Sequence, residues 1–173
     1  MVSPGSPKVV LIGPMGAGKT TVAGLLGATW GVEVRDTDAD VEARAGKSVA
    51  DIFVEDGEDA FRELERAAVA QALAEHDGVL ALGGGAVLDP ETRARLAGHR
   101  VVFLQVGLSE AVKRVGLGVG RPLLLGNVRA RIKALLDERA PIYRDAASDT
   151  VDTDEKSPED VAAEIVRLVE AQG

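Results

Sequence analysis

The sequence predicts a three-layer α/β fold, a parallel sheet of about five strands with helices on both faces. Apolar runs of strand length alternate with longer amphipathic stretches, and strands separated by helices imply right-handed crossovers into a parallel sheet. Hydrophobic residues make up 46% of the 173-residue chain and aromatic ones only 3%, so its core must be Val, Leu, Ile and Ala. The segments that look chemical, Gly13–Thr20, Asp36–Asp38 and Gly83–Gly85, each follow a strand. Sheets of this class bind ligands at the carboxyl ends of their strands.

In order, Val9-Val10-Leu11-Ile12 reads as a buried strand ending at Gly13, and the pattern is helical from Gly18 to about Trp30. Glu33-Val34-Arg35 is a short second strand, followed by a helix from Asp38 to about Ala45 that Gly46 stops. Ser48 caps a short helix through Val54, and Gly57 interrupts it. Glu58 to Glu75 is the longest helical stretch, with Phe61, Leu64, Ala68 and Leu73 near one face. Val79 to Leu82 is a third strand before Gly83-Gly84-Gly85. Asp89-Pro90-Glu91 starts a helix, with a cap followed by Pro at the first helical position. Val101 to Leu104 is a fourth strand and Leu108 to Val115 a helix. Gly116 to Gly126 is a Gly-rich loop, expected to be a mobile lid. Val128 to Arg139 is helical and should end before Pro141. Asp149-Thr150-Val151 is a short edge strand, and Ser157-Pro158 caps a last helix to about Glu170. With no linker or internal repeat, residues 1–173 read as a single domain.

The net charge of −8 argues against a nucleic-acid partner, so any anion site must be a local basic cluster. Cysteine is absent, which excludes disulfides and thiolate metal sites. Met1 to Pro7 lack the charge and apolar run of a secretory signal, and no apolar run reaches membrane-spanning length. A cytoplasmic protein is expected. His76 and His99 fit no chemical element and are expected at the surface, while Trp30 reads as a packing or helix-end residue.

Gly13-Pro14-Met15-Gly16-Ala17-Gly18-Lys19-Thr20 matches G-x-x-x-x-G-K-S/T, between an apolar strand and a helix as the phosphate-binding loop requires. Its glycines let backbone N–H groups turn toward phosphate oxygens, and the helix start adds its positive dipole end. ATP contacts are expected from Gly16, Ala17, Gly18, Lys19, Thr20 and Thr21. Lys19 suits the β- and γ-phosphates and Thr20 suits Mg²⁺. A GTPase is excluded because Asn127, the only Asn, is followed by Val128, so no N-K-x-D motif exists. A motor-type ATPase is disfavoured because the strands run into Gly83 and Gln105 rather than an acid. A small-molecule kinase with a lid remains.

On the acceptor side, Asp36 and Asp38 share one face if the chain is still extended there. One carboxylate can then serve the magnesium shell and the other accept a proton from an attacking hydroxyl. The plainer reading is an acid pair capping a helix. Arg62 has Glu65 at i+3 to orient it, or is a solvated helix charge. Gly83-Gly84-Gly85 offers open backbone N–H groups, or is only a turn. Arg121 can bring a mobile cation to the phosphoryl group, or is a surface residue; Arg139 sits near a helix end that favours a cation anyway.

The sequence resembles the shikimate kinase family over about residues 8–170. The likeness is carried by Gly13–Thr20, Asp36-Thr37-Asp38, Asp51-Ile52-Phe53, Gly57-Glu58 with Phe61-Arg62, Gly83-Gly84-Gly85, Arg121-Pro122-Leu123 and Arg139-Ala140-Pro141-Ile142-Tyr143, in family order and spacing. The resemblance implies ATP-dependent phosphorylation of the shikimate 3-hydroxyl on the way to chorismate and aromatic amino acids. By the family pattern Asp38 holds shikimate hydroxyls and acts as the base or stands in for it, and Asp36 acts in the shell of one Mg²⁺ through water. Arg62, Arg139 and the backbone of Gly83, Gly84 and Gly85 bind the ring and carboxylate, and Phe53 and Phe61 line the ring's apolar face. Lys19, Asp38 and Arg121 form the catalytic set, with Arg121 arriving on the lid. Arg114 fits the adenine side, where the family's second Arg is replaced here by Lys156, so a guanidinium stack is not expected at that position. The family also implies a monomer. Two other readings stay open: a gluconate-type sugar-acid or polyol kinase on the same loop, and an ATP-dependent switch that never turns over an acceptor.

Overall fold

The computed structural model describes residues 6–14, 17–119 and 125–172. Its sheet has five parallel strands in the order β2-β3-β1-β4-β5, with β1 Val9–Ile12, β2 Val34–Asp36, β3 Val79–Ala81, β4 Val101–Gln105 and β5 Asp149–Asp152. Register is set by hydrophobic pairing at the centre: Val10 sits opposite Leu80 on one side and Val101 on the other. All four residues of β1 are buried, as expected of the middle strand of a sheet covered on both faces.

Alternate side chains feed two cores. On one face Val9, Leu11, Val102 and Leu104 pack against α1 (Lys19–Trp30) and α8 (Pro158–Gln172) through Val22, Leu26, Val161 and Ile165. On the other, Val10, Ile12, Leu80 and Phe103 meet Val69 and Leu73 of α4 (Glu58–Glu75), Leu96 of α5 (Pro90–Leu96) and Tyr143 of α7 (Leu125–Ala146). A satellite core of Val41, Ile52, Phe61 and Ala68 joins α2 (Thr37–Ala45) and α3 (Val49–Glu55) to α4. The caps follow the sequence: Ser48 Oγ accepts from Asp51 N at 3.1 Å and Asp89 Oδ1 from Glu91 N at 2.8 Å. Trp30 ends α1, packs on the first core and carries the Lys8 ammonium over its ring at 4.9 Å. No helix among the described residues is long and apolar enough to cross a membrane.

Several expectations are corrected. The chain is not extended through Asp36–Asp38: Asp36 closes β2 and caps α2, its Oδ1 accepting from Asp38 N at 2.8 Å. Part of the loop expected over 116–126 is helical, because α6 (Leu108–Val119) runs through Gly116 and Gly118 and α7 begins at Leu125. A helical Gly costs only about 1 kcal/mol relative to Ala, so it weakens a helix without stopping it. The remaining lid residues, 120–124, lie outside the described residues. Helix α7 also passes Pro141 and ends at Ala146. Pro removes one i→i−4 bond, but Ile142, Tyr143 and Ala146 beyond it pack on the second core, and that burial holds the last turn. A 3₁₀ turn, Ala86–Leu88, follows the triple glycine. His76 is buried rather than at the surface, with Nε2 3.0 Å from the Val79 carbonyl, because the chain turns back tightly at Gly78 against β2; His99 is half-buried.

Candidate active site

The carboxyl ends of β1, β2 and β3 open into a cleft of about 300 Å³ lined by Lys19, Thr20 and Thr21 on one side and Asp36, Asp38, Gly83 and Gly84 on the other. Helix α1 begins behind Gly18, a left-handed residue (φ 87°) that gives no side-chain cap. Its first-turn N–H groups therefore face outward, which makes the helix start an anion site. Lys19 Nζ donates to the carbonyls of Gly13 at 2.5 Å and Pro14 at 3.1 Å. Burial lowers the Lys19 pKa to about 8, while the charges of Asp38 and Asp36 pull it back up.

Asp38 sits in the first turn of α2. Burial, followed by the neighbouring Asp36 charge, pushes its carboxyl above the ordinary range, and Lys19 opposes the shift. The capping reading holds for Asp36, and both carboxylates line the cleft although the chain is not extended between them. Glycine opposite them leaves room for these side chains. A Cβ on Gly83 would lie 2.6 Å from Asp38 Oδ1 and 3.2 Å from Glu65 Oε2. Thr37, fully buried between the two acids, accepts from Gly83 N at 3.2 Å and locks α2 to the end of β3.

Arg62 is oriented as its i+3 spacing suggests, with Nη1 2.7 Å from Glu65 Oε1. The Glu65 side chain is 4% exposed, and burial pushes its carboxyl up against the pull of Arg62. A Cβ on Gly85 would fall 2.6 Å from Arg62 Nη1, so the guanidinium presses on the backbone of the triple-glycine turn. Phe61 lies under Arg62 at 5.3 Å, and Phe53 meets Phe61 with ring centroids 4.7 Å apart. Arg139 approaches from α7 beside the hydroxyl of Tyr143, which donates to the Gly84 carbonyl.

The structure thus gathers Lys19, Thr20, Thr21, Asp36, Asp38 and the glycine turn at one cleft, with Arg62 against Gly85 of that turn and Arg139 beside Tyr143. Lys156 is set apart: it lines a second cavity of about 200 Å³ with Ala17, Gly18 and Thr21, on the other flank of the phosphate loop, and pairs with Glu164 at 3.1 Å. Arg114 is carried by α6. Gly16 and Arg121 lie outside the described residues. The sequence reading gave no role to Thr37 or Tyr143, although both lie in the motifs that carry the resemblance and Tyr143 stands one helical turn after Arg139.

The donor set fits a magnesium ion carried in on a nucleotide. Two threonines, Thr20 and Thr21, and two carboxylates line the same cleft, and among the described residues no group of three or more His, Cys, Asp or Glu forms an all-protein cage. Mg²⁺ is usually held this way, by one or two protein oxygens plus phosphate and water.

The shikimate kinase family model matches residues 15–170. A shikimate kinase of Thermobifida fusca (strain YX) is 61% identical over 167 residues, spanning 96% of this chain and 97% of that protein. One from Salinispora arenicola (strain CNS-205) is 57% identical over 166 residues, 96% of this chain and 99% of its own. Among solved structures, shikimate kinase from Acinetobacter baumannii in complex with shikimate matches with a TM-score of 0.87 at 34% identity, covering 96% of this chain and 94% of that one. A motif set found in order, a cleft that joins the helix α1 start, the acid pair and the glycine turn, and relatives matched along nearly their whole length agree: the chain belongs to the shikimate kinase family.

Proposed function

We propose that the chain transfers the γ-phosphoryl group of ATP to the 3-hydroxyl of shikimate, giving shikimate 3-phosphate and ADP on the route to chorismate and the aromatic amino acids. The observation that carries this reading is the placement of Asp38 across one cleft from Lys19 and the helix α1 start. A hydroxyl held at Asp38 is thereby aimed at a phosphate held by the loop. The reaction needs little covalent chemistry from protein groups, so catalysis rests on positioning and charge.

The N–H groups of Gly16, Ala17 and Gly18 through Thr21 cradle the phosphates, and Lys19 leaves its own loop carbonyls to follow the charge of the phosphoryl group. Thr20, and Asp36 through water, would hold Mg²⁺, which when bound neutralises phosphate charge. Asp38 accepts the proton of the 3-hydroxyl as its oxygen bonds to the γ-phosphorus and the bond to ADP breaks. Arg62, Arg139 and the turn at Gly83–Gly85 hold the ring and its carboxylate, since two guanidinium groups grip one carboxylate directionally. Phe61 and Phe53 flank the ring. Arg121, on the lid, brings a further cation to the phosphates, and Arg114 and Lys156 flank adenine. The chain works as one domain, a cytoplasmic monomer without nucleic-acid or membrane partners, in keeping with its charge of −8.

ADP release measured with shikimate, gluconate and nucleoside monophosphates tests the acceptor. Shikimate should raise it far above hydrolysis in water and the others should not; faster turnover of gluconate or a nucleotide would overturn the reading, and no turnover with any acceptor would leave a switch module.

Two variants probe the acceptor side. Arg62→Ala and Arg139→Ala should each raise KM for shikimate about 10-fold or more with a smaller effect on kcat, by loss of a charge-assisted contact. An unchanged KM in both would contradict the carboxylate assignment. Gly83→Ala should displace the Asp38 carboxylate, because its Cβ would stand 2.6 Å from Oδ1. Turnover should fall about 10-fold to 10²-fold while ATP affinity holds, as a misplaced reacting group costs rate rather than nucleotide binding.

A further inference from the structure

Tyr143 is 1% exposed, yet its hydroxyl reaches the cleft's rim. Its ring stacks on Phe103 of β4, with centroids 4.9 Å apart and planes 23° from parallel. That seat on a central strand leaves the hydroxyl little freedom. The hydroxyl donates to the Gly84 carbonyl, and the Arg139 guanidinium lies beside it from one turn earlier on the same helix. Burial pushes the phenol pKa up, with Arg139 the larger opposing influence and Arg62 a smaller one, so the group stays a donor at neutral pH.

A trans peptide holds its C=O and N–H in one plane and pointing in opposite directions. The carbonyl of Gly84 and the N–H of Gly85 belong to the same peptide. A hydrogen bond that fixes the Gly84 oxygen therefore also aims the Gly85 N–H. The neighbouring guanidinium of Arg62 already presses against Gly85.

We infer that Tyr143 is a positioning residue for the acceptor's carboxylate: one buried hydroxyl sets the Gly84–Gly85 peptide and the Arg139 guanidinium in a fixed relation, so that both meet the same anionic group. The inference rests on the reading that Arg139 and the glycine turn hold that carboxylate. The Pro141 between Arg139 and Tyr143 fits this role. Its fixed φ stiffens the turn of α7 that links the two side chains.

Tyr143→Phe keeps the ring on Phe103 and removes only the hydroxyl. It should raise KM for shikimate about tenfold, the scale of a hydrogen bond that orders a charged contact, with KM for ATP unchanged and kcat altered far less. In an Arg139→Ala background the same change should shift KM for shikimate less than about twofold, because contacts acting as one unit are not additive. Thermal unfolding of each variant accompanies the kinetics. If Arg139→Ala alone leaves KM for shikimate unchanged, Arg139 does not hold the carboxylate, and the inference falls with that part of the reading. If Arg139→Ala raises that KM and Tyr143→Phe does not, only the role of Tyr143 is overturned. A Tyr143→Phe variant that loses affinity for both substrates together, with a marked drop in Tm, would make the residue merely structural and overturn the inference as well.

Discussion

Asp38→Asn should lower kcat by about 10²–10⁴-fold while leaving ATP binding nearly intact, the range expected when a general base is removed without changing its size. Asn fills the same space in the first turn of α2 and still accepts a hydrogen bond from a substrate hydroxyl. It cannot take the proton. The pH dependence supplies the sign. Burial and Asp36 hold the Asp38 carboxyl above its ordinary range, so in the free enzyme it is active above that raised pKa and inert below it. The kcat/KM for shikimate should therefore fall on the acid side at a pH higher than an exposed Asp would give, and that limb should vanish in Asp38→Asn. Steady-state kinetics of both proteins from pH 4 to pH 8 would check this. A variant with near-normal kcat would reduce Asp38 to a group that only orients the acceptor.

Lys19→Ala should cost about 10²–10³-fold in turnover, the scale of removing one preorganised donor from developing charge. The lysine is held by burial at a pKa of about 8, with Asp38 and Asp36 keeping it from falling further. A polyphosphate brought beside it favours the charged form and raises that pKa. Below about pH 8 the free enzyme already carries the proton; above it, nucleotide binding must take one up. Calorimetry of ATP binding in buffers of different ionisation enthalpy should show proton uptake at alkaline pH and little at pH 6.5, with no such uptake in Lys19→Ala. An unchanged rate, or uptake that persists without the lysine, would remove Lys19 from the phosphate site.

What was legible in the sequence was whatever a short segment decides for itself. The strand Val9–Ile12, the helix start behind Gly18 and the caps at Ser48 and Asp89 follow from local pattern and sterics, and the structure keeps them. The i+3 pairing of Arg62 with Glu65 was readable for the same reason. The misreadings lie where distant residues decide. Helix α7 continues past Pro141 because Tyr143 finds Phe103, a residue forty positions earlier in the chain. His76 is buried because the chain folds back against β2 at Gly78. The acid pair carried both an extended and a capping reading, and the second prevails at Asp36, which ends β2 and caps α2. The triple glycine was visible as an open turn, but not its steric reason: Asp38, Glu65 and Arg62 crowd the very positions where Cβ atoms would stand.

The central claim is that a loop-held phosphate and a hydroxyl at Asp38 are brought together for one defined transfer. Phosphorus and proton NMR of the product formed from ATP, Mg²⁺ and shikimate tests it most directly. The account predicts one organic phosphate, bonded through the 3-oxygen, formed in step with ADP. Inorganic phosphate alone, or a phosphate on another oxygen of the ring, would contradict it.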